Sequence, residues 1–278
     1  MNSRRLLLVE SDPAIHEQMA RLLNRDGQSL QAVDESAEAL QFLRATPYDL
    51  VFAGKGRNGN DGMSLLRRIY ALRPEAKVIV TGERSSERVM AALRGNAFGY
   101  LHEPFSQSHL TEMVQQALES DSWRDDIRVV SGRLEWLTLE IRCKLEAVER
   151  ATHFVRELAA SLDSNACEDV SSAFRELLLN GVEHGGKLNP KKRVRVSMLR
   201  GAHAVMVHMR DPGKGFSINE IEHAAVCNPQ DSPTRHAEIR AEQGQRPGGF
   251  GILMARNLVD ELLYNERGNE VFFVKNLT

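Results

Sequence analysis

Across residues 5–119, short apolar runs alternate with amphipathic stretches, and this rhythm restricts the fold more than any other feature. Residues 6–9 (Leu-Leu-Leu-Val) read as a buried strand. Asp12-Pro13 then opens a helix with Ile15, Met19, Leu22 and Leu23 at helical spacing, and proline suits a first helical turn. Residues 50–52 and 78–80 are further buried runs. Met63, Leu65, Leu66 and Ile69 mark the helix after the former, and Val89, Met90 and Leu93 the helix after the latter. Tyr100-Leu101 precedes Pro104-Phe105, and residues 109–118 close with a helix. Strands alternating with helices predict a parallel sheet covered on both faces. In such sheets ligands sit at the carboxyl ends of the strands. Those positions are Glu10-Ser11, Gly54, Thr81 and Glu103.

The chain has 278 residues, enough for about two domains. Its formal net charge is -2 and its 36 basic residues are spread along the chain, so bulk charge makes no case for nucleic acid. The apolar run near the N-terminus meets Glu10 at once, too short for a signal peptide or membrane span. Cys143, Cys167 and Cys227 lack metal-like or disulfide-like spacing, and so sparse an odd count fits a reducing cytoplasm.

Residues 4–119 resemble response-regulator receiver domains. The resemblance is carried by Leu-Leu-Leu-Val-Glu10-Ser11-Asp12-Pro13, by Tyr48 to Gly54 with Asp61-Gly62, by Val80-Thr81-Gly82 and by Glu103-Pro104-Phe105. It implies a flavodoxin-like α/β fold. The family's phosphorylated aspartate falls at Gly54, so there is no phosphoacceptor. The family's lysine falls at Glu103, and Ser11 replaces the second acid of the Mg²⁺ pair. Thr81 is intact. Asp61 reads as a helix-start acid rather than a substitute acceptor. The resemblance therefore implies a pseudo-receiver over residues 1–119, kept as a docking or dimer surface.

Residues 120–133 are polar and broken by Gly132, and read as a linker; Trp123 packs on the domain before it or the one after. No long heptad run is present. Neither His109 nor His153 has the setting of a histidine-kinase phosphoacceptor.

Residues 134–278 read as an α+β domain: a strand at 136–143, helices at 145–162 and up to His184, a strand pair at 193–198 and 204–209, a short helix at 250–259 and a terminal hairpin around Gly268-Asn269. The expected layout is a mixed sheet with helices on one face. Three segments carry chemistry. Glu176-x-x-x-Asn180-x-x-x-His184 puts a carboxylate, a carboxamide and an imidazole on one helix face. Asp211-Pro-Gly213-Lys-Gly215-Phe216 sets an acid before two glycines, which let backbone approach a ligand closely. Gly248-Gly249-Phe-Gly251 opens a helical pattern, which suits phosphate at a helix N-terminus.

In that order the three segments resemble the nucleotide site of the ATPase superfamily of gyrase, Hsp90, histidine kinases and MutL. The compact length and the ending Gly248-Gly-Phe-Gly-Ile-Leu-Met resemble one branch, the anti-sigma-factor serine kinases of bacterial partner switching. The resemblance implies ATP and Mg²⁺ as ligands, with Asn180 as the Mg²⁺ ligand and Glu176 as the base that takes the proton of an attacking hydroxyl. It also implies Asp211 on the adenine amino group, and Gly213, Gly215, Gly249 and Gly251 along the nucleotide. His184 matches the box, though capping or packing explains it equally well. Lys214, Arg235, Arg240 and Arg246 lie in or beside a polar lid expected at 217–246; one of them could neutralise phosphate, while exposed charge is the default reading of each. The partner implied is an anti-anti-sigma (STAS-type) protein, a sigma factor or both, with homodimerisation left open and neither nucleic acid nor membrane expected. The alternative function is a non-catalytic module that binds ATP and sequesters a partner.

Overall fold

A computed structural model describes residues 4–23, 27–57, 61–133, 135–215 and 250–277. The chain divides into two compact units, Met1–Arg124 and Asp125–Thr278.

In the first unit five strands form a parallel sheet in the order β2-β1-β3-β4-β5. The elements run β1 (Arg4–Val9), α1 (Pro13–Leu23), β2 (Gln28–Val33), α2 (Ser36–Ala45), β3 (Leu50–Ala53), α3 (Gly62–Leu72), β4 (Val78–Glu83), α4 (Ser86–Arg94), β5 (Gly99–Glu103) and α5 (Gln107–Glu119). The central strands are apolar on both faces because helices cover both: Leu6 to Val9 and Leu50 to Ala53 are all fully buried. Two elements, β2 and α2, have no counterpart in the sequence reading. β2 is an edge strand whose sequence, Gln-Ser-Leu-Gln-Ala-Val, stays largely at the surface. Trp123 is buried in this unit's core and meets Phe98 edge-on at 5.5 Å. Arg124 lies over the Tyr70 ring at 4.6 Å.

The second unit begins with β6 (Ile127–Gly132), in residues expected to be linker. Its polar pattern reflects an edge strand that pairs only with β7 (Trp136–Arg142). Then follow α6 (Leu145–Ala159), α7 (Ser164–Asn180), a single π-helical turn (Gly181–Gly185), β8 (Arg193–Arg200) and β9 (Ala204–Arg210). After the undescribed 216–249 come α8 (Gly251–Leu258), β10 (Glu261–Tyr264) and β11 (Glu270–Asn276).

The six strands pair in the order β10-β11-β9-β8-β7-β6, and every pair is antiparallel. The expected mixed sheet is thus corrected. Two helices between β7 and β8 return the chain to the end it left, so β8 must run back along β7. Next to β9 sits β11 rather than β10, and the hairpin between them reverses the direction. Leu137, Leu139 and Ile141, Val194, Val196 and Met198, and Val205, Val207 and Met209 are the buried alternate residues of β7, β8 and β9. The helix α7 packs between α6 and α8 and reaches β9 and β11. Asp163 caps α7, accepting from the Ala166 amide at 2.9 Å. Among the described residues no helix is long and apolar enough to cross a membrane.

Candidate functional site

The helix α7 presents Glu176 and Asn180 one turn apart at its C-terminal end. Facing them is the first residue of α8. A Cβ added to Gly251 would lie 2.8 Å from Glu176 Oε2 and 3.5 Å from Asn180 Nδ2. The N-terminus of one helix therefore meets the functional face of another with no room for a side chain between them. Asn180 Nδ2 is buried and has no hydrogen-bond partner among the described residues. The side chain of Glu176 is 18% exposed, and its Oε1 accepts from Arg175 Nη1 at 3.1 Å.

The α-helix stops at Asn180, and the chain enters the π turn in which His184 is exposed. Asp211 packs against this turn: a Cβ at Gly185 would lie 2.1 Å from Asp211 Oδ1, and one at Gly181 would touch Asp211 Cβ at 3.4 Å. Gly186 likewise leaves room for the buried thiol of Cys143, which burial pushes up to about 11. Glycines thus let the end of α7 close down on β7 and on the end of β9.

Asp211 follows β9. Its Oδ1 accepts from the Gly213 amide at 2.7 Å, its own amide donates to Asn269 O, and burial raises its carboxyl pKa while the Gly213 bond opposes the shift. Gly213 is needed where it stands, since a Cβ there would lie 2.7 Å from Asp211 Oδ1 and 2.8 Å from Gly185 Cα. The backbone of Gly185 and Gly213 lies against the half-buried Asp211 carboxylate, leaving an acceptor beside glycine backbone. That arrangement suits a planar ring carrying an amino group.

Gly215 has a different explanation. It has φ of +84° and its Cβ would fall 1.8 Å from Arg267 O in the β10–β11 hairpin, while Arg267 Nε donates to Lys214 O at 3.0 Å. Packing on the hairpin alone requires glycine here. Phe216, Gly248, Gly249, Arg235, Arg240, Arg246, Cys227 and the lid expected at 217–246 lie outside the described residues.

Glu176, Asn180, Asp211, Gly213 and Gly251 occupy one end of the second unit, along α7, its π turn and the α8 start. Nucleotide and Mg²⁺ fit this donor set. The unpartnered Asn180 Nδ2 is a donor that suits a phosphate oxygen, Oδ1 of the same side chain is the oxygen that would reach Mg²⁺, the start of α8 supplies backbone N–H groups, and a Mg²⁺ held by phosphates and water needs few protein oxygens.

The expected remnant site in the first unit is also assembled. Glu10 is 1% exposed; its Oε1 accepts from the Asp12 amide at 2.8 Å and its Oε2 from the Lys55 amide at 3.2 Å. A Cβ at Gly54 would lie 2.2 Å from Glu10 Oε2 and 2.7 Å from Thr81 Oγ1. The Glu103 carboxyl is raised by burial and then by the charge of Glu10. The Thr81 hydroxyl is buried near Glu103 and opposes that rise. Asp61 caps α3, accepting from the Met63 amide at 3.3 Å, and pairs with Arg88 at 2.7 Å, which accounts for it as a structural acid.

Comparison with known proteins agrees with this division. Residues 6–115 match the response regulator receiver domain, and residues 141–275 match the histidine kinase-like ATPase domain. The chain thus joins a receiver domain to a histidine kinase-like ATPase domain. It is 30% identical over 129 residues to the transcriptional regulatory protein GlrR of Escherichia coli K12, covering 44% of this chain and 29% of that one. It is 28% identical over 150 residues to the nitrogen assimilation regulatory protein NtrX of Azorhizobium caulinodans, covering 53% and 33%. The chain spans about a third or less of the length of these relatives. A solved structure, the signal receiver domain of an HD domain-containing protein from Pseudomonas fluorescens Pf-5, is 27% identical with a TM-score of 0.40, covering 43% of this chain and 89% of that one.

Proposed function

We propose that the second unit binds MgATP and transfers its γ-phosphoryl group to a serine of a small partner protein, as an anti-sigma-type switch. The observation that carries this reading is the meeting of Glu176 and Asn180 with the start of α8 at Gly251. It puts a carboxylate beside backbone amides suited to phosphate oxygens, so base and phosphate are close enough to share one acceptor hydroxyl.

In this reading Asp211 takes the adenine amino group, and Gly213 and the glycines of the π turn keep that surface open. Asn180 holds Mg²⁺, which when bound neutralises charge on the phosphates. Glu176 accepts the proton of the serine hydroxyl as its oxygen bonds to the γ-phosphorus and the bond to ADP breaks. The phosphoserine then carries about -1.5 to -2 charge, enough to eject a partner from a surface that held the neutral side chain. The partner class is an anti-anti-sigma (STAS-type) protein, with a sigma factor as the alternative occupant of the same surface. The first unit is a receiver that takes no phosphoryl group, and it acts as a docking or dimerising surface in a cytoplasmic signalling protein.

The test is to incubate the full chain with γ-labelled MgATP and the small STAS-type proteins of the same organism. Label on a serine of one of them is the expected result. ATP binding without label on the partner would replace the kinase reading with that of an ATP-holding interaction module.

A further inference from the structure

We infer that Arg175, anchored by Glu149, is a positioning residue that aims the Glu176 carboxylate at the start of α8. The inference rests on the reading of Glu176 as the base, and it extends that reading to two residues outside the ATP-site motifs.

Arg175 leaves α7 one residue before Glu176, yet its guanidinium is committed first to another helix. Its Nε donates to Glu149 Oε2 at 3.0 Å and its Nη2 donates to Glu149 Oε1, a two-pronged contact with α6. The remaining nitrogen, Nη1, donates to Glu176 Oε1 at 3.1 Å. A guanidinium is planar, so a two-pronged contact fixes its plane and with it the direction of the third donor. Glu149 therefore sets where Arg175 meets Glu176. With Oε1 tied in this way, Oε2 is the oxygen turned to Gly251. A carboxylate on a free side chain would rotate; this one is held by one oxygen and presents the other.

The cluster is poorly suited to a purely stabilising role. Arg175 is 39% exposed and Glu149 32% exposed, and ion pairs this open to water contribute little to folding. One guanidinium serves two carboxylates, so the set keeps a net negative charge on the side from which a hydroxyl would give up its proton.

The experiment uses the full chain and MgATP, with water as acceptor. Water oxygen bonds to the γ-phosphorus, the bond to ADP breaks with ADP taking the electron pair, and the water proton passes to Glu176. ATP affinity, turnover to ADP and inorganic phosphate, and melting temperature are measured for wild type, Glu149→Gln, Arg175→Met, Arg175→Lys and Glu176→Gln. Positioning predicts that Glu149→Gln and Arg175→Met lower kcat about tenfold, while ATP affinity stays within about twofold and melting is unchanged. Arg175→Lys recovers part of the loss, because an ammonium reaches a carboxylate without fixing a plane. Unchanged kcat in both Glu149→Gln and Arg175→Met overturns the inference. So does loss of ATP binding in step with kcat, which marks a structural role. If wild type and Glu176→Gln turn over alike, the base assignment itself fails and takes this inference with it.

Discussion

The carboxylate of Glu10 stands where a side chain at residue 54 would begin: Oε2 lies 2.2 Å from the Cβ position of Gly54. The bare backbone at residue 54 and the placement of Glu10 are thus one structural fact. A buried acid, held by the amides of Asp12 and Lys55, fills the space that the missing side chain leaves.

Restoring an aspartate at that position should therefore fail. In Gly54→Asp the new side chain collides with Glu10 and Val9 O and adds a carboxylate beside Glu10 and Glu103. The expected cost is about 1–3 kcal/mol from overpacking, read by denaturant unfolding. Neither wild type nor variant should gain phosphoryl mass from acetyl phosphate with Mg²⁺. A phosphorylated receiver in wild type would contradict the account.

Glu103 adds a pH dependence whose sign follows from its environment. Burial and Glu10 raise its carboxyl above the ordinary value near 4.5. The folded state then holds this proton at pH values where the unfolded chain has lost it, so stability falls as pH rises from about 4.5 through the folded pKa and levels off above it. Glu103→Gln removes the effect. Melting curves of wild type and Glu103→Gln should diverge over that window, with wild type the one losing ground.

Gly251→Ala separates site from scaffold. The new methyl meets the end of a flexible side chain, Glu176 Oε2 at 2.8 Å, rather than backbone. Stability should drop by less than about 1 kcal/mol. ATP binding and turnover should suffer, because the carboxylate must move from the place where it faces α8. Titration of MgATP beside a thermal melt checks both halves.

Gly215→Ala should behave in the opposite way. Its Cβ would fall 1.8 Å from the carbonyl of Arg267, and its φ is +84°. Backbone strain and collision together should cost about 2–4 kcal/mol, seen as a lower melting temperature of the second unit. If ATP affinity falls while melting is unchanged, the glycine serves the ligand rather than the hairpin.

The sequence was readable where a side chain's burial or chemistry repeats with a period. The buried runs of strands β1, β3 and β4 stood out as apolar, and α7 carried both a helical pattern and the spacing from Glu176 to Asn180. The edge strands β2 and β6 were hidden because each is paired on one side only and keeps polar residues at the surface. The mixed sheet was a misreading of pairing order, since β11 rather than β10 lies beside β9. At the site, the motifs singled out Glu176, Asn180 and Gly251, which the fold brings together, and Asp211, which packs on Gly185. The π turn that carries His184 left no periodic trace. Arg175 and Glu149 were invisible because their contact joins two helices across 26 residues and leaves no periodic trace.

The central claim is that Glu176 acts on a proton while the rest of the site holds ATP. It is tested most directly by Glu176→Gln, which keeps the shape and loses the base. MgATP affinity should stay within about twofold of wild type, and transfer of the γ-phosphoryl group should fall by about 10²-fold or more. A Glu176→Gln protein that binds ATP and transfers phosphate as fast as wild type would contradict the account.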